Sequence, residues 1–147
     1  MAQYSYKKIV SIFEDAANAH QGVNTFGFGS IDYLDAKSQN VLYPYVFLRP
    51  LTSPGLNLSI RNLNFELYCI DVPTLANQEP IDIMNNMEQV LYDMISYFNT
   101  GPYQQEIGIS LNNIIPTLEA FNDRAYGWVG NIVVQTDGAW NYCNFPN

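Results

Sequence analysis

Charge is what this sequence has least of. Asp, Glu, Lys and Arg make up 14% of its 147 residues, where about a quarter is usual for a soluble domain. Only six of these are cations, and none lies between residues 62 and 123. The net charge is −8, so no basic patch can form to neutralise a row of phosphates, and direct nucleic-acid binding is excluded as an expectation. Cysteine is scarce too. Cys69 and Cys143 are the only two, too few for a disulfide scaffold, and Cys69 sits among apolar residues as a small core side chain would. Histidine occurs once, at His20, so any Ser-His-Asp or Cys-His machinery would have to use it. No apolar run reaches the length of a membrane span, and "MAQYSYKKIV" lacks the apolar core of a signal peptide. The expected location is the cytoplasm in which the chain is made, with no membrane partner.

Uncharged polar and aromatic residues take the place of the missing charge: 17 Asn, 8 Gln and 11 Tyr. Interface cores are depleted in Lys, Glu and Asp and enriched in aromatics. A surface built from Asn, Gln, Ser and Tyr therefore points to contact with other protein.

By size the chain is one domain, 1–147, with no internal repeat and no linker. Residues 4–19 place Ile9, Ile12, Phe13 and Ala16 at helical spacing. "NTFGFGSIDYLD" reads as a strand with a bulge or as two short strands. "YPYVFLRP", residues 43–50, reads as a short strand bounded by Pro44 and Pro50, with Arg49 its one charge, its prolines leaving a defined sheet edge for a neighbouring subunit. The stretch 50–62, "PLTSPGLNLSIRN", is longer than a hairpin needs and reads as a protruding arm on which Leu56, Leu58 and Ile60 alternate. In "LNFELYCID", Leu63, Phe65, Leu67 and Cys69 alternate with Asn64, Glu66 and Tyr68, the pattern of a half-buried antiparallel strand.

The clearest helix runs from Glu79 to Phe98, with Pro80 in its first turn, a stripe of Met84, Met87, Leu91, Met94, Ile95 and Phe98, and Gly101-Pro102 as its stop. "EIGISL" reads as a strand and "IIPTLEAF" as either strand or helical turn. "AYGWVGNIVVQT" is the final strand, and 137–147 an irregular tail. The order of elements predicts an α+β fold: a mostly antiparallel sheet with the long amphipathic helix packed on one face and a second, N-terminal helix.

No constellation among these residues requires chemistry. His20, Cys69 and Cys143 lack metal-ligand spacing. "GFGS" at 27–30 has neither the Lys-Ser/Thr of a phosphate loop nor a third glycine. Asp32, Asp35 and Asp71 could form a carboxylate pair or a calcium site, but nothing in the spacing brings them together. Met84, Met87 and Met94 could line a binding groove, but at helical spacing they read as core. Tyr43, Tyr45, Trp128, Trp140 and Tyr142 could stack on sugars, which keeps a small carbohydrate-binding or adhesin-type module as the alternative. The expectation is a protein that is not an enzyme and carries no cofactor or metal.

Taken together, the first helix, "YPYVFLRP", "FELYCIDVP", "IDIMNNMEQVLYDMISYF", "RAYGWVGNIVVQ" and "YCNFP" resemble the small neck and tail-completion proteins of tailed bacteriophages. The likeness is to the tail-terminator-like fold and, in Asn content, to the ring proteins of crAss-like phages. It covers roughly residues 4–143 and rests on structural motifs. It implies a virion protein forming a six- or twelve-fold homo-oligomeric ring, stacked between neighbouring portal, neck or tail proteins, with DNA passing through unbound. It brings no catalytic residues. Candidate subunit-interface residues are Tyr43, Tyr45, Arg49, Leu56, Leu58, Ile60, Arg61 and Arg124.

Overall fold

A computed structural model describes residues 4–30, 42–55, 60–73, 78–120 and 124–138. The chain folds as α1 (Tyr6–Ala19), β1 (Thr25–Phe28), β2 (Tyr45–Pro50), β3 (Ile60–Asp71), α2 (Pro80–Tyr97), a 3₁₀ turn (Gly101–Tyr103), β4 (Gly108–Ala120) and β5 (Ala125–Asp137). The strands form one sheet in the order β1-β2-β3-β5-β4. Only the short β1–β2 pair is parallel; β2–β3, β3–β5 and β5–β4 are antiparallel. This is the α+β architecture that the patterning predicts.

Both helices lie on one face of the sheet. Helix α1 starts at Ser5, whose hydroxyl accepts the Lys8 amide at 3.1 Å, satisfying a donor the first turn would leave unpaired. It buries Ile9, Ile12, Phe13, Ala16 and Ala17, and the Phe13 ring meets Phe65 and Phe98 at 5.7 and 4.7 Å. Helix α2 opens on Pro80, where a missing N–H costs no helical bond. Its buried face is Ile83, Met87, Val90, Leu91, Met94 and Phe98. Met84 and Ile95 are only half-buried, so the apolar stripe is rotated from the expected one. Ile83 takes the deep position because the helix lies across β5, where the Met84 carbonyl accepts the Trp128 indole N–H at 2.8 Å.

Four other expectations change. First, "YPYVFLRP" does not supply a sheet edge: β2 lies inside the sheet, between β1 and β3. Pro44 precedes the strand, and its carbonyl accepts the Asn24 and Thr25 amides.

Second, the ends of the stretch 50–62, expected as an arm, belong to the sheet. Ile60, Arg61 and Asn62 belong to β3 and pair with Asp137, Thr136 and Gln135 of β5. Thr52 and Ser53 are tied down as well, since the Thr52 carbonyl accepts the Asn64 side-chain amide and the Ser53 hydroxyl accepts the Asn64 backbone N–H. Leu56 and Leu58 lie outside the described residues.

Third, the choice left open at "IIPTLEAF" falls to strand: Ile114–Ala120 continue "GISL" as one strand, β4, from Gly108 to Ala120. A shift in its pairing with β5 between Leu111 and Asn113 disguises the alternation, because one extra residue flips the phase of every side chain after it.

Fourth, β3 is not polar along the whole of its outer side. Tyr68 and Ile70 are buried there with Tyr45, Phe47, Ala125 and Val129 in a second small core. The Tyr45 side chain lies across β1 at Gly27, where any Cβ would overlap its hydroxyl. That crossing permits an aromatic to be buried on a face read as exposed.

Candidate functional site

The face of the sheet away from the helices divides in two. One half is the small core just described. The other is polar and carries almost no charge. Cross-strand pairing sets Asn62 opposite Gln135 and Asn64 opposite Val133 on β3 and β5, and Asn131 opposite Asn113 and Val133 opposite Ser110 on β5 and β4. The amides bond to one another: Asn131 donates to Asn113 at 2.5 Å and Gln135 to Asn62 at 3.2 Å. Between them runs an open groove of about 620 Å³ with Leu51, Asn64, Asn112, Asn113, Asn131 and Val133 along it.

This region ends at β4, an edge strand of the sheet. Residues 107–118, "IGISLNNIIPTL", contain no charge at all. Natural edge strands normally discourage pairing with other chains by placing Lys, Pro or bulges along the edge. Here the cations are absent, and the features of this kind along β4 are Pro116, Glu119 and two irregularities, at Asn112 and between Thr117 and Ala120. Ser110, Asn112 and Asn113 are exposed; Ile115 and Leu118 remain 47% and 63% exposed.

The other expected interface residues are mostly engaged within the domain. Tyr45 is buried, with Tyr43 packed edge-on against it at 6.2 Å. The Arg49 guanidinium donates to Glu66 at 2.6 Å, an ion pair along the β2–β3 register. Arg61 donates to the Tyr4 carbonyl at 2.8 Å, and Ile60 is half-buried in β3. Arg124 is exposed before β5, with a left-handed φ of 54°. The structure therefore does not gather these residues into one surface. Arg49 and Arg61 are drawn to a carboxylate and a carbonyl within the domain, and Tyr45 to the small core.

The only histidine is held on both nitrogens. Its Nδ1 accepts the Gly22 amide at 2.9 Å, which leaves the hydrogen on Nε2, donated to Asp93 at 2.9 Å. An imidazole so engaged has no free nitrogen to take a proton from a substrate; its geometry is that of a clasp joining the end of α1 to α2. The His20 hydrogen bond holds the Asp93 carboxyl below its usual range. Beside it lies a hollow of about 300 Å³ bordered by His20, Pro44, Asp71, Asn86 and Gln89. Burial raises the Asp71 carboxyl above its ordinary value, partly offset by the Val72 amide. Asp32 and Asp35, its expected partners, lie outside the described residues. Among the described residues no cluster of His, Cys, Asp and Glu could hold a metal ion. Cys69 is fully buried, and burial pushes its thiol far up, away from reactivity; Cys143 lies outside the described residues.

The aromatic residues expected to stack on sugars are scattered. Tyr45 is buried on one face of the sheet and Trp128 is half-buried on the other, while Trp140 and Tyr142 lie outside the described residues. No helix among the described residues is long and apolar enough to cross a membrane.

The sequence reading found β4 only in part, with "EIGISL" as a strand and "IIPTLEAF" left between strand and helical turn. The signal of one continuous strand was twelve consecutive uncharged residues, but Pro116 and the phase shift at Asn112 concealed its continuity. No protein-family model matches the chain, and no curated protein matches it.

Proposed function

We propose that this chain is a structural subunit of a homo-oligomeric ring in the head–tail connector or tail-completion region of a tailed bacteriophage, surrounding the channel through which DNA passes. The observation that supports it best is the uncharged edge strand β4, continuous with an amide-covered sheet face. Such a surface gains from lateral contact with protein and offers nothing to hold phosphate. The resemblance of the sequence to tail-terminator-like proteins supplies the setting, and the net charge of −8 suits a channel wall that repels DNA and lets it slide. Negative-stain electron microscopy of the purified protein, alone and with cognate neck or tail proteins, tests the reading. Annular particles of uniform diameter are the expected result. A protein that stays monomeric alone and in the mixture contradicts it.

The second reading, a carbohydrate-binding module, draws on the asparagine-lined groove, since primary amides suit sugar hydroxyls. It predicts glycan-array binding by a monomer that is lost on Asn64→Ala and Asn131→Ala.

A further inference from the structure

We propose that β4 is a self-recognition edge: residues 108–115 pair antiparallel with the same segment of a second copy, joining two five-stranded sheets into one. The proposal rests on the reading of the chain as a self-assembling protein and adds a contact to it. Being two-fold, the contact closes a pair of chains, such as two subunits of rings stacked face to face, while the head-to-tail contact around a ring lies elsewhere on the surface. The pairing of β4 with β5 sets Ile109 and Ile114 opposite Val134 and Gly130, on the helix-bearing side. Gly108, Ser110, Asn113 and Ile115 are set on the other side. In an unbroken strand, residues five apart would lie on opposite faces. The shift at Asn112 brings Ile109 and Ile114 onto the same face, and Ser110 and Asn113 onto the other.

On either side of the irregularity the segment is therefore complementary to itself, about a two-fold axis that sets Leu111 level with Asn112 of the second copy. Ile109 meets Ile114 of the second copy on the helix side, Ser110 meets Asn113 on the amide side, and Gly108 meets Ile115. Cross-strand pairs of like polarity are the unit of sheet stabilisation, and a two-fold contact needs such self-complementarity. Charge agrees with this register. The chain is strongly anionic, yet the flanking Glu106 and Glu119 fall level with Thr117 and Gln104 of the second copy, so no two carboxylates meet. Among the described residues no strand pairs with the outer side of β4, and Ser110, Asn112, Asn113 and Ile115 are all exposed. Pro116 and Glu119 limit pairing beyond Ile115.

The test is sedimentation velocity and light scattering of the full chain from micromolar concentration to about 200 µM, with the double variant Ser110→Lys/Asn112→Lys beside it. Both positions are exposed, so the variant should keep its circular dichroism spectrum and melting temperature while setting four ammonium groups against one another across the axis. The expected result is wild-type particles containing pairs of chains and a variant whose pairing is at least tenfold weaker. Wild-type amide exchange gives a reading that needs no variant: the amides of 109–114 should become protected as concentration rises.

If wild type forms only dimers that the variant abolishes, the contact stands and the ring reading fails. If rings form and the variant leaves their mass unchanged, the ring stands and the β4 contact is overturned. A wild type that stays monomeric at the highest concentration, with no concentration-dependent protection of 109–114, overturns the contact outright.

Discussion

Gly127 shows how a single residue can be dictated by its neighbour's backbone. It pairs with Ile70 across β3 and β5, its φ is 157°, and a Cβ placed there would collide with the Cys69 carbonyl oxygen. Because the obstacle is backbone, no rotamer change relieves it. Gly127→Ala should cost about 3 kcal/mol or more in urea denaturation, at the upper end of overpacking effects; a cost below about 0.5 kcal/mol would mean that the two strands are not so close. Asp93 makes a different case, in electrostatics. Its carboxyl lies below the usual range because His20 donates to it. A depressed folded-state pKa contributes stability that is present above the unfolded value of 3.8 and is lost as pH falls through the folded value. The melting-temperature advantage of wild type over Asp93→Asn should therefore shrink as pH is lowered below about 4. An advantage that grows on acidification would contradict the clasp.

The α2 helix and the β4 strand carry the architecture and the proposed contact respectively, and their apolar faces make separate tests possible. In α2 the deep positions are Ile83, Met87, Val90, Leu91 and Met94. Leu91→Ala and Ile83→Ala should each cost about 2–5 kcal/mol as fully buried truncations. Met84→Ala should cost clearly less, about 1 kcal/mol, because that side chain is only partly buried. Equal losses at positions 83 and 84, measured by chemical denaturation, would put the helix in a different rotation. In β4 the order of importance is reversed: the exposed residues, not the buried ones, carry the proposed function. Lys at exposed edge positions should change assembly and leave folding alone.

The whole molecule is a polyanion, and two of its few cations serve inside the domain. Arg49 is bound to Glu66 and Arg61 to the Tyr4 carbonyl, so even the six cations counted from sequence are not all offered to a partner. Fluorescence anisotropy should detect no affinity for duplex DNA at physiological salt, since the phosphate term requires several cations acting together. Micromolar binding that weakens with salt would overturn both this expectation and the proposed acidic channel.

The elements and their sides were largely readable from spacing. Ile9, Ile12, Phe13 and Ala16 marked the buried face of α1, and Leu63, Phe65, Leu67 and Cys69 that of β3, because periods of 3.6 and 2 follow from backbone geometry alone. Three things depended on which pieces met. Tyr45, Tyr68 and Ile70 form a second core because Gly27 lets a ring cross the sheet, a property of two strands that neither shows by itself. The deep face of α2 shifted toward Ile83 because α2 lies over β5, whose Trp128 bonds its backbone. And β4 became the sheet's longer edge only through the order β1-β2-β3-β5-β4; an uncharged run in the sequence has no edge until the other strands have found their places. Local periodicity reports how a segment divides its own two sides, whereas an interface depends on what lies next to that segment, and only long-range pairing settles that.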